Sequence, residues 1–214
     1  MNIVPDVLPY LNPTVDVTLS FRKRAINPGE FVESVLSKHL PTLNIQVFDK
    51  GPRPVTIVVV DPDVPNVEKD SFDYRCHFIA TNVVIDPTSP KVSLARINQG
   101  PNIVLPWLPP YAQKGSPYHR LVTFVLEHPE GKELDVQKLM DRYKNGGNKF
   151  NMRAFNDRYG LKPVGVHLFR TVWDNGMYQV MKDLGVQEAD MMLKRKLPEK
   201  LPEYLSRRDT ARFR

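Results

Sequence analysis

The pattern of hydrophobic and polar positions predicts a β-rich core. Alternating polar and apolar residues, as in TVDVTLSF, are typical of a half-buried strand. The run VTIVVV is uniformly β-branched and apolar, which indicates a central strand covered on both faces. Together these patterns predict strands over residues 14–21, 42–49, 55–60, 77–86, 119–128 and 165–173.

Helical spacing appears late in the chain and predicts short helices at the periphery of the core. These cover residues 135–144, 151–160 and 174–185, and a shorter helical piece precedes His39. Gly160 is expected to end one helix, and Asp174 to cap the start of the next. Two long proline-rich stretches, 61–75 and 87–117, are interpreted as loops, and loops of this length are usually functional or disordered.

The length and composition of the chain predict one domain with appendages. At 214 residues and 41% hydrophobic, the chain can bury one good core. We expect a lead-in over residues 1–13, the domain over 14–185 and an extension over 186–214. No apolar run approaches the roughly 18 residues that a membrane span needs. The single cysteine, Cys76, excludes an internal disulfide and fits a reducing compartment.

The positive charge of the chain is concentrated at its C-terminal end. The net charge is +6, and residues 194–214 hold eight Lys/Arg and three Asp/Glu, a net +5. A basic segment on a nearly neutral body predicts a polyanionic partner, with RNA the first candidate. The residues expected to dock there on RNA or protein are Lys194, Arg195, Lys196, Lys200, Tyr204, Arg207, Arg208, Arg212 and Arg214. A second small basic cluster, FRKRAINPGE, is more typical of a solvated loop.

Catalytic and metal chemistry are not favoured by the residue spacing. The nucleophile-elbow pattern G-x-S-x-G does not occur. Cys76 and His77 are neighbours on a predicted strand, so their side chains point to opposite faces. Ser116 lies three residues before His119, but no third group is marked to orient the histidine. The histidines lack metal-ligand spacing, and we expect no metal and no cofactor.

Three motifs in order suggest a site at the ends of strands. DPDVP follows a predicted buried strand, His77 begins the next, and GSPYHR leads into a third. This order, continued by FNDRYGLKPVGVHLFRTVWDN, resembles the phosphatidylethanolamine-binding protein family over roughly residues 14–185. The resemblance implies a mostly β fold of two packed antiparallel sheets with short peripheral helices. It also implies an anion pocket that contains Asp61, His77 and His119.

The sequence departs from the family pattern around this pocket. Arg75 stands where the family has an aromatic residue, residues 112–115 replace its P-P-K-G, and Leu121 replaces another aromatic. A partly polar mouth disfavours lipid headgroups as the main ligand, although an anion between the two histidines and Arg75 stays open. The alternative is structural: His119 and Arg120 bond the DPDVP loop and hold two strand ends together. We favour this second interpretation.

A narrower resemblance covers segments that other family members lack, such as WLPPYAQKGSPYHR and LPEYLSRRD. It points to members built into the large subunit of fungal-type mitochondrial ribosomes, at the central protuberance. The resemblance implies a non-catalytic protein of the mitochondrial matrix with ribosomal RNA and adjacent ribosomal proteins as partners. The alternative function is a soluble regulator that binds an anion or a phospholipid headgroup, such as a kinase or protease inhibitor.

Overall fold

Two antiparallel sheets form the body of the protein in a computed structural model, which describes residues 3–48, 51–143, 150–186, 189 and 191–193. The smaller sheet has the strand order β2-β1-β3-β6, and the larger has β7-β5-β4-β8-β9. The strands are β1 Val15–Phe21, β2 Arg24–Ile26, β3 Thr42–Val47, β4 Arg53–Asn66, β5 Ser71–Ile85, β6 Lys91–Ser93, β7 Ile103–Leu105, β8 His119–Glu127 and β9 Lys162–Thr171. The predicted fold class is confirmed.

Short helices lie at the periphery, as the late helical spacing predicts. They are α1 Ser34–Ser37, α2 Leu94–Ile97, α3 Val136–Tyr143, α4 Met152–Tyr159 and α5 Asn175–Asp183. Gly160 ends α4 in the left-handed conformation at φ 59°, and the Asp174 side chain accepts hydrogen bonds from two backbone N–H groups of α5. In the part of the chain that the structure describes, no helix has the length and apolar character needed to cross a bilayer.

The stretch 61–75 is not the loop that its prolines suggested. β4 continues to Asn66 and β5 starts at Ser71, so most of this stretch is a paired hairpin. The pairing is irregular between Asp61 and Val64, and this interval contains Pro62. β8 pairs with β4 only as far as Val60, so β4 then has a single neighbour. A proline is tolerated where one side of a strand is unpaired. The second predicted loop, 87–117, likewise contains β6, α2 and β7.

Hydrophobic side chains fill two layers. One cluster lies between the sheets and includes Phe21, Phe78 and Phe169. The other covers the opposite face of the larger sheet, where residues of α3 and α4 pack. Val7 and Leu8, from the segment before β1, are fully buried in this second layer. The N-terminal segment is therefore part of the packed body of the protein.

The two sheets approach most closely where β9 passes β1. A Cβ atom at Gly165 would lie 2.5 Å from Val15 Cγ2 and 2.6 Å from Val17 Cγ2. We therefore expect Gly165→Ala to lower the free energy of unfolding by about 2 kcal/mol, because overpacking forces the sheets apart. Urea unfolding measures the change. Gly51→Ala, whose Cβ meets nothing within 4 Å, is the control, and equal effects of the two substitutions would contradict the prediction.

Candidate functional site

Three of the predicted site residues lie on neighbouring strands of the larger sheet, but only one of them is at a strand end. The prediction that His77 begins its strand was wrong, because the strand starts at Ser71. Asp61 is in β4, His77 is in β5, and His119 begins β8. Because β4 lies between β5 and β8, strand pairing brings together side chains that are far apart in the sequence. All three side chains are buried.

His119 and Asp61 form a buried hydrogen-bonded pair. His119 Nδ1 lies 2.6 Å from Asp61 Oδ2, and Asp61 Oδ1 accepts from the backbone N–H of Asp63 at 2.9 Å. Burial pushes the pKa of Asp61 upward, but the hydrogen bond from His119 and the histidine charges outweigh it, so this pKa is lowered overall. Asp61 is therefore ionised at neutral pH. A carboxylate only accepts hydrogen bonds, so His119 Nδ1 carries the proton.

The protonation of His77 does not suit the binding of an anion. Its Nδ1 lies 2.8 Å from the backbone oxygen of Leu108, an acceptor, so Nδ1 is the protonated nitrogen. Burial lowers the pKa of His77 to about 4, so the ring is neutral at pH 7. Its buried Nε2 then presents a lone pair and has no hydrogen-bond partner among the described residues. Donation to a phosphate oxygen therefore requires His77 to gain a proton or to release Leu108.

Arg75, the fourth predicted pocket residue, lies opposite Asp61 in the pairing of β5 with β4 and is almost fully buried. Its guanidinium carbon is 4.2 Å from the centroid of the Tyr111 ring, in a cation–π contact. Burial is the main cause of the lowered pKa of His77. The charge of Asp61 raises this pKa, and the charge of Arg75 lowers it further. Arg75 thus supplies a permanent positive charge at this site.

Ser116 completes an arrangement that the sequence did not predict. Its Oγ lies 3.2 Å from His119 Nε2, and Asp61 is the orienting third group. The same hydroxyl donates to the backbone oxygen of Gln113 at 2.7 Å, which directs its proton away from the histidine. Activation of a serine needs that proton to go to the imidazole. The geometry therefore does not activate Ser116.

The Cys76 thiol is also unsuited to nucleophilic attack. Burial raises the pKa of the Cys76 thiol well above its ordinary value, so the thiol stays protonated and is a poor nucleophile. Within the residues that the structure describes, no group of three or more His, Cys, Asp or Glu side chains is placed to hold a metal ion.

A cleft of about 240 Å³ adjoins Ser116 and is lined in part by Pro65, Phe72 and Leu193. The backbone N–H of Leu193 donates to the oxygen of Lys114 at 2.7 Å, and a Cβ at Gly115 would overlap the Leu193 carbonyl. The chain just before the basic segment is therefore pinned to the loop before β8. The predicted docking residues themselves lie outside the described residues: Lys194, Arg195, Lys196, Lys200, Tyr204, Arg207, Arg208, Arg212 and Arg214.

Arg120 joins the DPDVP segment to the N-terminal segment. Its Nε and one terminal nitrogen donate to the two oxygens of Asp63 at 2.8 and 2.7 Å, and its backbone N–H donates to Asp63 at 2.9 Å. The other terminal nitrogen donates to Asp6 Oδ2 at 2.9 Å. These bonds, with the pair His119–Asp61, are the contacts that the structural interpretation of the His-Arg motif predicts.

Sequence reasoning did not identify Asp63, Asp6, Tyr111 or Leu108 as partners of the site. Successive residues of a strand face opposite sides, so His119 and Arg120 need separate partners. The two aspartates of DPDVP are these partners, Asp61 for His119 and Asp63 for Arg120. The second aspartate of the motif could therefore have been predicted from the sequence. Nothing in the local sequence marks Leu108, whose contribution is a backbone oxygen 31 positions from His77.

The fold and the site define a two-sheet β protein with a buried carboxylate–imidazole pair between β4 and the start of β8. The sequence model of the family described as phosphatidylethanolamine-binding protein matches residues 21–169, and the chain belongs to this family. A solved structure, the phosphatidylethanolamine-binding protein from Plasmodium vivax, shares the fold with a TM-score of 0.63 and 20% identity. That match covers 80% of this chain and 93% of the other.

Two curated relatives extend the comparison. The chain is 28% identical over 167 residues to the large ribosomal subunit protein mL38 of Schizosaccharomyces pombe, which covers 77% of this chain. It spans about half the length of that relative, 51%. It is also 34% identical over 172 residues to the protein TERMINAL FLOWER 1 of Arabidopsis thaliana, covering 78% of this chain and 85% of that protein.

Proposed function

We propose that this protein is a non-catalytic, structural constituent of the mitochondrial large ribosomal subunit. In this proposal it lies in the matrix, at the central protuberance, and docks on ribosomal RNA and neighbouring ribosomal proteins. The observation that carries the proposal is the similarity to mL38 over 77% of the chain. The strongly basic segment 194–214 supports it, because clustered Lys and Arg favour a phosphate-rich partner.

The site supports a structural function. Asp61 and His119 satisfy each other, and Arg120 is bonded to Asp63 and Asp6. These bonds join β4, the start of β8 and the N-terminal segment to one another. Ser116 lacks the proton geometry of a nucleophile.

The basic segment provides the functional test. We expect the tagged protein to sediment with the large subunit when a mitochondrial lysate is separated on a sucrose gradient. Deleting residues 194–214 is expected to move most of the protein to the top of the gradient, because eight cationic side chains are lost together. A matched variant keeps the length and replaces those eight Lys and Arg residues by Gln, which separates charge from chain length.

The outcomes of the gradient are distinct. If both variants leave the subunit, charge in the segment is the anchor. If both remain bound, the docking surface lies on the folded body and the role given to the segment is wrong. If the intact protein itself stays at the top, the ribosomal proposal fails.

The alternative is a soluble regulator that binds an anion or a phospholipid headgroup. The retained Asp61, His77 and His119 favour it, as does membership of the family. Titration calorimetry with inorganic phosphate and with phosphorylethanolamine tests it, using His119→Gln as the pocket variant. Binding that this variant abolishes would favour the regulator, and absence of heat with both probes would count against it.

A further inference from the structure

The turn between β1 and β2 is an exposed basic tip with an unfavourable backbone. Phe21 pairs with Arg24, so Arg22 and Lys23 form a two-residue turn, and both are exposed. Arg22 has φ +56°, in the left-handed region. Two-residue hairpin turns favour glycine or asparagine at such positions, because other residues pay a steric cost there. The chain keeps an arginine where the backbone favours glycine.

The hairpin is otherwise well anchored. Phe21 and Ile26, on either side of the turn, are buried between the sheets. The tip therefore does not depend on Arg22 for its attachment to the core. Backbone strain that the fold does not require is a pointer to function.

Hydrogen bonds hold two of the charges at this tip, and the tip as a whole is positive. A terminal nitrogen of Arg22 donates to His39 Nε2 at 2.8 Å, and this bond orients the guanidinium. Arg24 is paired with Glu30 at 2.6 Å, which offsets one charge. Lys23 and the neighbouring Lys38 are exposed. Three cationic side chains, Arg22, Lys23 and Lys38, thus share this corner of the smaller sheet.

The chemistry of the tip favours a phosphate backbone over a protein surface. The residues that dominate protein interfaces, mostly Trp, Tyr and Arg, lie in well-packed and fully desolvated pockets. Between Phe21 and Ile26, which are both buried, the exposed residues are three cations and Ala25. Guanidinium and ammonium groups without apolar anchors suit the sequence-independent contacts that proteins make with phosphates.

We infer that the β1–β2 turn is a second RNA-docking point, at which Arg22 and Lys23 contact the phosphate backbone. The inference rests on the proposed ribosomal function and adds a surface on the folded body. It explains why a strained arginine occupies the turn. It also predicts that stability and binding respond to substitution of Arg22 in opposite directions.

The test uses the full chain, a fluorescently labelled RNA stem-loop and anisotropy titrations at several salt concentrations. Arg22→Gly relieves the backbone and removes the charge, so we expect an unchanged or higher Tm together with ~5-fold weaker binding near physiological salt. The slope of log K against log salt should become shallower by about one for Arg22→Gly and by about two when Lys23→Ser is added. The control is Lys69→Ser, which removes a charge from the exposed turn between β4 and β5. It should leave the RNA affinity and the salt slope unchanged.

Three results would overturn the inference. Equal affinity and slope for Arg22→Gly and the unmodified chain would show that Arg22 does not contact the phosphate backbone. Weaker binding with a lower Tm would make Arg22 structural. If Arg22→Gly binds RNA as well as the unmodified chain but no longer sediments with the large subunit, the turn has a protein partner instead. Failure of the proposed function is seen separately, when the unmodified protein stays at the top of that gradient.

Discussion

Replacing Asp63 by asparagine is expected to lower the free energy of unfolding by about 3 kcal/mol. The change keeps the size of the side chain but removes the charge that Arg120 meets with two nitrogens, at 2.8 and 2.7 Å. The two side chains are only 14% and 15% exposed, so water replaces little of the lost interaction. Removing one partner of a largely buried ion pair leaves the other charge only partly compensated.

The electrostatics of Arg120 support this expectation. Its pKa is raised above the ordinary value, chiefly by the hydrogen bond to Asp63 and despite partial burial. Asp6 also accepts from Arg120, but the Asp6 side chain is half exposed, so water screens this second bond. The remaining partner therefore offsets only part of the loss.

Urea unfolding monitored by circular dichroism measures the effect of Asp63→Asn as a lower midpoint at unchanged m-value. The control is Glu130→Gln, which breaks an ion pair to Lys132 that is 74% exposed on both sides. We expect no measurable change there, because surface ion pairs contribute little. Matching midpoints for the two variants would show that the Asp63–Arg120 pair does not hold the strand ends.

Acidification from pH 6.5 to pH 4 is expected to destabilise the protein, with His77 contributing about 3 kcal/mol. Burial lowers the pKa of His77 from 6.5 to about 4; the charge of Asp61 opposes this and that of Arg75 adds to it. Between these two values the unfolded state binds more protons than the folded state. Stability is therefore full above pH 6.5, falls as pH drops, and loses no more from His77 below about pH 4.

Other groups shift stability in the same direction. Burial also lowers the pKa values of His39, His128 and His167. Burial raises the pKa of Asp61, but the bond to His119 and the histidine charges together lower it overall, and this adds a further loss only below pH 3.8. The variant His77→Gln isolates the contribution of His77 to the pH dependence of stability, because it removes a single titrating group.

Unfolding midpoints in urea from pH 7 to pH 4 test this prediction. His77→Gln should flatten the pH dependence by about 1.4 kcal/mol per pH unit, the linkage value for one proton. His39→Gln, at a partly exposed site, should leave the contribution of His77 to the pH dependence unchanged. If His77→Gln does not fold, the imidazole signals of the native protein report the same pKa by NMR. A His77 that titrates near pH 6.5 in the folded protein would contradict the prediction.

The strands whose burial alternates were predictable from local sequence. β1 and β3 show strict buried and less-buried alternation, so each residue's face follows from its position in the strand. The hairpin tip of β4 and β5 was not predictable, because prolines exclude a regular ladder. Local sequence does not show that β4 has lost one neighbour at that point.

The candidate site shows the same division. The motif order placed Asp61, His77 and His119 together, and strand pairing does bring them together. The motif order could not show which nitrogen of each histidine carries the proton, or where the Ser116 hydroxyl points. His77 Nδ1 bonds the Leu108 carbonyl, and the Ser116 hydroxyl bonds the Gln113 carbonyl, so the protons of these two groups are committed to the backbone.

By itself, the sequence determined the β-rich core, the capped helices and the concentration of charge after residue 193. The two packed sheets followed from the resemblance of its motifs to a family. Periodicity, capping residues and composition act locally, so they can be recognised without coordinates. Only the tertiary structure decided that Arg120 joins Asp63 to Asp6, that His77 presents a lone pair, and that Arg22 lies in a strained turn. These properties depend on strand register, on burial and on backbone angles, which are set when distant segments pack together.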